Sequence, residues 1–208
     1  MAESTGRPRT ARVRNPRGQG GRLREQLVEA AAHLLADADQ PESLTLRSVA
    51  REVGVAPASI YGHFPDLGAL LDQVLELRYR ELTEALRSAS EGLDGSERLM
   101  GLCAAYVGWG LDHPGEYRTL FGGRIPAGVT VASHETGIGL LAVLTAALPD
   151  PLADGDDVKP DERQRAGLLL WTSLHGLVSA RMEHPGIPWP PWREHVADIV
   201  ALHGAAGA

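Results

Sequence analysis

Within residues 45–64, TLRSVAREVGVAPASIYGHF, the side chains able to do chemistry are Thr45, Arg47, Ser59, Tyr61 and His63, set among Pro57, Ala58 and Gly62. Hydroxyls, an imidazole and a guanidinium separated by residues with little or no side chain suit the holding of phosphate oxygens rather than the breaking of bonds. Small side chains permit close approach in a major groove, and Tyr and His reach the backbone beside it. A surface this short of long hydrogen-bonding side chains leans on thymine methyl contacts and on DNA shape for discrimination. Arg47 lies at the end of its segment where a nucleic-acid backbone should run, whereas Arg51, one turn on, reads as the partner of a carboxylate such as Glu52 or Asp66.

The elements that must position these groups are two short helices around a Gly-Val turn. Leu46, Val49, Ala50 and Val53 repeat at i, i+3, i+4 and i+7, one buried stripe, and Thr45 is placed to cap the first exposed amides. Gly54 supplies the positive φ that a tight helix-to-helix turn needs, and Val55 pins the corner. Pro57 is tolerated in the first turn of the second helix, from which Ile60 and Phe64 point inward. Upstream, Leu23, Leu27, Ala30, Ala31, Leu34 and Leu35 mark an amphipathic helix. Downstream, Asp66 is the expected N-cap of a longer one carrying Leu67, Leu70, Leu71, Val74 and Leu77 on one face. A three-helix core on a long connecting helix is expected over residues 21–81.

Charge is distributed unevenly. Seven arginines, among them Arg22 and Arg24, stand against Glu3 alone in the first 24 residues, a local charge of +6, while the whole chain carries −7. An acidic body is repelled by nucleic acid except where such an arm and the first helices engage it. Residues 1–20, rich in Gly, Pro and Arg and without apolar periodicity, are expected to be disordered when free and to track phosphates or enter a flanking minor groove.

Residues 21–80 resemble the TetR family of one-component transcription regulators, in the Thr-capped helix, the Gly-Val turn, and Tyr61, His63, Phe64, Leu70 and Leu71. The resemblance implies that Thr45, Ser59, Tyr61 and His63 contact DNA, with Pro57, Ala58 and Gly62 facing the groove; Arg22 and Arg47 join them as contact candidates. One departure is Leu67, where the family usually places a Lys that neutralises a phosphate.

The remaining chain exceeds what a module of about 60 residues requires, so a second helical domain is expected over residues 90–208. Asp94 and Glu97 have capping-box spacing and open a helix carrying Leu99, Leu102, Cys103, Tyr106, Val107 and Trp109. Pro114 stops it, and a short helix with Tyr117, Leu120 and Phe121 inward follows. After a Gly- and Pro-containing loop, residues 133–148 read as a helix with Ile138, Leu141, Leu144 and Leu148 inward. The acidic stretch PDPLADGDDVKPDE reads as a surface loop. The helix from about 161 to 184 places Trp171, His175, Val178 and Met182 on one face, and Thr172, Ser173, Gly176, Ser179 and Ala180 in a stripe of small residues. Gly176 inside that helix calls for close approach by a neighbour. A last helix carries Trp192, Val196, Ile199, Val200 and His203.

The pattern WTSLHG, together with HPGEY, resembles the WHG-type ligand-binding domain found in part of the TetR family. This implies a homodimer built on the last two helices, for which Thr172, Ser173, Gly176, Ser179, Ala180, Val196, Ile199 and Val200 are the interface candidates. It also implies a small-molecule effector in a cavity for which Tyr106, Trp109, Phe121, His134, Trp171 and His175 are candidates, since aromatic and polar-tipped side chains suit a mostly apolar site. The expected function is regulation of transcription, as a repressor released from a palindromic operator by the effector. The alternative is a ligand-independent DNA-binding dimer controlled by a protein partner or by abundance, which a collapsed, filled cavity would favour.

Catalysis finds no support. The histidines show no helical metal-ligand spacing, and neither a nucleophile elbow nor a phosphate- or dinucleotide-binding glycine pattern is present. No metal or cofactor is expected. One cysteine forms no internal disulfide, and no apolar run of membrane-spanning length or signal-like segment occurs, so a cytoplasmic all-α protein without membrane contact is expected.

Overall fold

A computed structural model of the chain describes residues 20–37, 43–122, 126, 129, 134–148 and 160–205. The arm of residues 1–19, most of the loop after Phe121 and the acidic loop of residues 149–159 lie outside the described residues. Among the described residues the fold is all helical: α1 Gly20–Asp37, α2 Leu46–Glu52, α3 Pro57–Ile60, α4 Leu67–Ser90, α5 Gly95–Asp112, α6 Pro114–Phe121, α7 His134–Ala147, α8 Pro160–Glu183 and α9 Trp192–Ala205.

Local chemistry sets the helix ends. Thr45 accepts a hydrogen bond from the Ser48 amide at 3.0 Å while the Ser48 hydroxyl accepts from the Thr45 amide at 2.9 Å, a reciprocal cap on α2. Gly54 has φ +76°, which lets Val55 N–H reach back to the Ala50 carbonyl at 2.9 Å and closes the turn into α3. Asp66 caps α4 through a 2.8 Å bond from the Ala69 amide. At α5 the expected capping box does not form. Asp94 is the N-cap, but its side chain makes no capping bond, and the chain enters the helix through Gly95 at φ +51°, a left-handed backbone unlike the entry at Thr45 or Asp66.

Two cores share α4. Leu27, Ala31, Leu35, Val49, Ala50, Ile60 and Phe64 pack with Leu70, Leu71 and Val74. The second core takes Leu82 and Leu86 from the far half of the same helix and joins them to α5, α6, α7, α8 and α9. Between them Arg78 is buried, its guanidinium held by Glu81 at 2.8 Å. The changeover thus falls inside a continuous helix, not in a linker.

In the second core α5 is the central element. It meets α4, α8 and α9, and the stripe Leu170, Leu174, Leu177 and Val178 of α8 faces it together with Val196, Ile199 and Val200 of α9. Among the described side chains of α7, Leu140 and Leu144 are buried, as is Leu148 just past its end, and Leu141 is only half-buried; Ile138 has its side chain outside the described residues. The two halves also touch away from α4, where α6 lies against α1. A Cβ added to Gly115 would stand 2.6 Å from the Ala36 carbonyl oxygen, so only glycine admits this approach.

Candidate nucleic-acid interface and cavity

The turn at Gly54 leaves α3 and the residues after it projecting from the first core. Ile60 and Phe64 are anchored inside, and Pro57, Ala58, Ser59, Tyr61 and Gly62 are all exposed, Tyr61 at 54 %. His63 is half-buried, its amide bonded to the Ile60 carbonyl at 2.9 Å. Thr45 and Arg47 are exposed at the start of α2, with the Thr45 hydroxyl already engaged by its own cap. Arg51 is exposed, and among the described residues no ion pair joins it to Glu52 or Asp66: both carboxylates lie beyond bonding reach.

Arg22 is exposed on α1, at the lip of a groove it shares with Glu25, Glu29, Asp37 and Glu52. Arg24 has a structural use that its place among the arm charges does not suggest. Its guanidinium sits 4.9 Å over the Phe64 ring and donates to Gln73 at 2.8 Å, tying α1 to the corner between α3 and α4. Leu67 packs half-buried against the first core and carries no charge outward.

In the second half, a cavity of about 370 Å³ opens between α6 and α8, lined by Tyr117, Arg118, Phe121, Gly122, His175, Ser179, Met182 and Glu183. A hydrogen-bonded chain runs into its wall: the Tyr106 and Tyr117 hydroxyls are 2.9 Å apart, and the Tyr117 hydroxyl is 2.7 Å from His175 Nδ1. His175 Nε2 faces Ser179 Oγ at the edge of bonding distance, 3.5 Å. Around this chain Phe121 packs against Tyr106, Tyr117, Trp171 and His175, and Trp171 stacks on His175 with centroids 5.2 Å apart. Burial raises the hydroxyl pKa of both Tyr106 and Tyr117 and lowers that of the His175 imidazole, an effect Glu183 opposes. The chain is therefore uncharged near neutrality.

Of the expected cavity residues, Phe121 and His175 line the space, with Trp171 behind His175 and Tyr106 fully buried at the inner end of the chain. Trp109 does not belong there. It is buried in the core and its ring is taken up by His113, one turn on at the junction of α5 and α6, with centroids 5.3 Å apart and planes 3° from parallel. His134 begins α7, and its side chain is outside the described residues. Tyr117, Ser179 and Met182 were not among the expected cavity residues. The i, i+4 relation of His175 and Ser179 was a usable signal; Tyr117 was expected inward and belongs to the HPGEY segment, but no local pattern ties it to His175, 58 residues on.

The expected partner face also needs correction. Val196, Ile199 and Val200 are 0 %, 8 % and 9 % exposed within a single protomer, because α5 takes up the apolar stripe of α9. Ser173 bonds to His203 Nε2 at 3.1 Å within the chain. Gly176 is exposed and an added Cβ would meet nothing within 4 Å, so no helix of its own protomer approaches it. What remains outward is Leu168, Leu169, Thr172 and Gly176 on α8, with Leu202 of α9 73 % exposed.

Among the described residues no helix is long and apolar enough to cross a membrane. The described residues contain no cluster of His, Cys, Asp and Glu suited to a metal ion. Cys103 is buried, which pushes its thiol pKa up to about 12.

Comparison with known proteins adds an independent line. Residues 27–74 match the family described as bacterial regulatory proteins, tetR family, and residues 99–203 match that described as tetracyclin repressor-like, C-terminal domain. An uncharacterized HTH-type transcriptional regulator of Mycobacterium tuberculosis is 27% identical over 179 residues, 85% of this chain and 78% of that protein. The nucleoid occlusion factor SlmA of Vibrio vulnificus is 28% identical over 100 residues, 48% of this chain and 51% of its own length. Among solved structures, a protein of unknown function from Rhodococcus sp. RHA1 superposes with a TM-score of 0.73 at 27% identity, covering 93% of this chain and 98% of that one. A TetR family transcription regulator from Marinobacter aquaeolei gives 0.63 at 19% identity, covering 92% and 98%, a likeness of fold alone.

Proposed function

Because the chain belongs to the TetR family of helix-turn-helix transcriptional regulators, a non-enzymatic family that binds DNA, we propose that it is a homodimeric repressor whose hold on a palindromic operator is weakened by a small molecule bound between α6 and α8. Residues 21–81 form the DNA-binding domain and residues 90–208 the regulatory one, the second of WHG type. The two short motifs behind that assignment meet in space, Tyr117 of HPGEY hydrogen-bonding His175 of WTSLHG, which supports it. In this reading Pro57, Ala58, Ser59, Tyr61 and Gly62 enter the major groove. Thr45, Arg47 and His63 hold phosphates beside it, with Arg22 and the arm adding charge in the cytoplasm, where the DNA lies. Leu67 leaves one ionic contact per subunit unmade.

The partner face is the exposed side of α8 and α9, Leu168, Leu169, Thr172, Gly176 and Leu202, with Ser179 and Ala180 at its margin. An exposed helical glycine beside leucines lets a second copy come close. Dimerisation spaces two α3 elements about 34 Å apart, one turn of DNA.

One observation carries the regulatory part. Helix α6 holds the Tyr117, Arg118 and Phe121 wall of the cavity and, through Gly115, abuts Ala36 at the end of α1. A ligand that moves α6 therefore moves the DNA-binding half, and by linkage its affinity for the two arrangements sets how far DNA binding changes. The cavity of about 370 Å³ also favours ligand control over the ligand-independent alternative, which needs that space filled.

Selection of bound sequences from a random duplex pool tests the reading. Enrichment of a palindrome with half-sites one turn apart supports it; a monomer that binds every duplex as well as a scrambled competitor ends it.

A further inference from the structure

The direction of the hydrogen-bonded chain beside the cavity follows from its buried end. Tyr106 is 0 % exposed, and the Tyr117 hydroxyl is the one acceptor within reach of its proton among the described residues. A buried hydroxyl proton without an acceptor is costly, so Tyr106 donates to Tyr117. Tyr117 has one proton of its own. With its oxygen already accepting from Tyr106, it donates that proton to His175 Nδ1 across the short 2.7 Å contact. An imidazole whose Nδ1 accepts carries its hydrogen on Nε2. That nitrogen faces Ser179 Oγ, on a residue that lines the cavity with His175, and the 3.5 Å separation leaves it weakly engaged.

The rest of the lining restricts what can meet this donor. Phe121, Tyr117 and Met182 provide flat, apolar and polarisable walls. Arg118 and Glu183 bring one positive and one negative charge to the same cavity, so neither a cation nor an anion is favoured overall.

We propose that the cavity selects an uncharged, flat aromatic compound bearing a carbonyl oxygen, which accepts a hydrogen bond from His175 Nε2 while Tyr117 holds the ring in that tautomer. Here Tyr117 is a positioning residue, and Tyr106 is the buried anchor that gives the chain its direction. The inference rests on the reading of this cavity as the effector site.

The test has two parts on the full-length protein. Long-range proton–nitrogen correlation of the histidine rings, with His175 assigned by its loss in His175→Gln, reads the tautomer without any ligand. Calorimetric titration then compares three probes of similar shape: chromone, which only accepts, indole, which only donates, and naphthalene, which does neither. The expected results are hydrogen on Nε2, and chromone binding about five- to tenfold more tightly than the other two, the worth of one neutral hydrogen bond. In Tyr117→Phe, Nδ1 loses its donor, the tautomer is no longer held, and the preference for chromone over indole disappears while naphthalene still binds. Hydrogen on Nδ1 in the wild-type protein overturns the proposal, as does indole binding as tightly as chromone, or no probe binding at all. Should Tyr117→Phe fail to fold, the wild-type tautomer and probe order decide alone. None of these results touches DNA binding, whose failure would appear separately in the duplex selection.

Discussion

Gly115→Ala tests the joint on which ligand control depends. An added Cβ would lie 2.6 Å from the Ala36 carbonyl oxygen and 2.8 Å from the Ala36 Cβ, against ordinary contacts that begin near 3.4 Å. Neither neighbour is the tip of a flexible side chain, so α6 or α1 must yield by most of an ångström. Overpacking of this kind costs about 1–3 kcal/mol, and alanine recovers at most about 1 kcal/mol of helix propensity so close to the start of α6. A net loss of about 1–2 kcal/mol corresponds to a fall in Tm of about 2–8 °C for a chain of this size. Because the strain enters at the end of α1, DNA affinity should fall as well, by about tenfold. Gly101→Ala is the matched control: its Cβ would meet the Ala89 carbonyl oxygen at 2.8 Å, where α5 crosses the far end of α4, away from α1. It should lower Tm similarly and leave DNA affinity unchanged. Thermal unfolding followed by circular dichroism at fixed protomer concentration, and fluorescence anisotropy on a selected duplex, measure both. A Gly115→Ala protein with wild-type Tm, or equal losses of DNA affinity in the two variants, refutes the argument that this contact couples the halves.

Four further outcomes are expected. Arg47→Ala, at an exposed position, should leave stability within about 0.5 kcal/mol of wild type and flatten the slope of log affinity against log salt by about 0.9 for each phosphate no longer neutralised; an unchanged slope removes Arg47 from the interface. Because burial lowers the folded pKa of His175 below the ordinary value of 6.5, the unfolded chain takes up that proton first as pH falls. Its stability contribution is whole above about pH 6.5, is lost as pH falls from there to the folded pKa, and is level below it; subtracting the His175→Gln profile from wild type over this range reveals or denies that step. Leu202→Glu, at a 73 % exposed position, should shift the protein to monomer in sedimentation equilibrium without loss of helical circular dichroism, and a persistent dimer places the interface elsewhere. The Cys103 thiol, buried and with its pKa pushed up to about 12, should react with a thiol reagent only as fast as the chain opens, so prompt stoichiometric labelling of the folded protein contradicts its placement.

The first core was legible almost residue by residue. The stripe from Leu46 to Val53, the turn at Gly54, the cap at Asp66 and the inward Ile60 and Phe64 all stand as expected, since two short helices and a turn draw their signals from residues within a few positions of one another. The second core was legible as helices but less so as a site. Its central helix α5 is apolar on most sides, so the sequence names its buried residues without saying which neighbour each meets. Trp109 and Phe121 look alike as inward aromatics, yet one stacks on His113 and the other walls the cavity.

By itself the sequence determined the helix ends, the exposed small-residue face of Pro57, Ala58, Ser59 and Gly62, and the family, because caps, turns and amphipathic periods act over one or two turns of backbone. Tertiary structure alone decided that Val196, Ile199 and Val200 turn inward on α5, that Gly115 lets α6 reach α1, and that Tyr117 meets His175 across 58 residues. A helix with apolar residues around much of its surface can bury any of several faces. Which one it buries is settled by the packing of all its neighbours at once, and no local pattern records that choice.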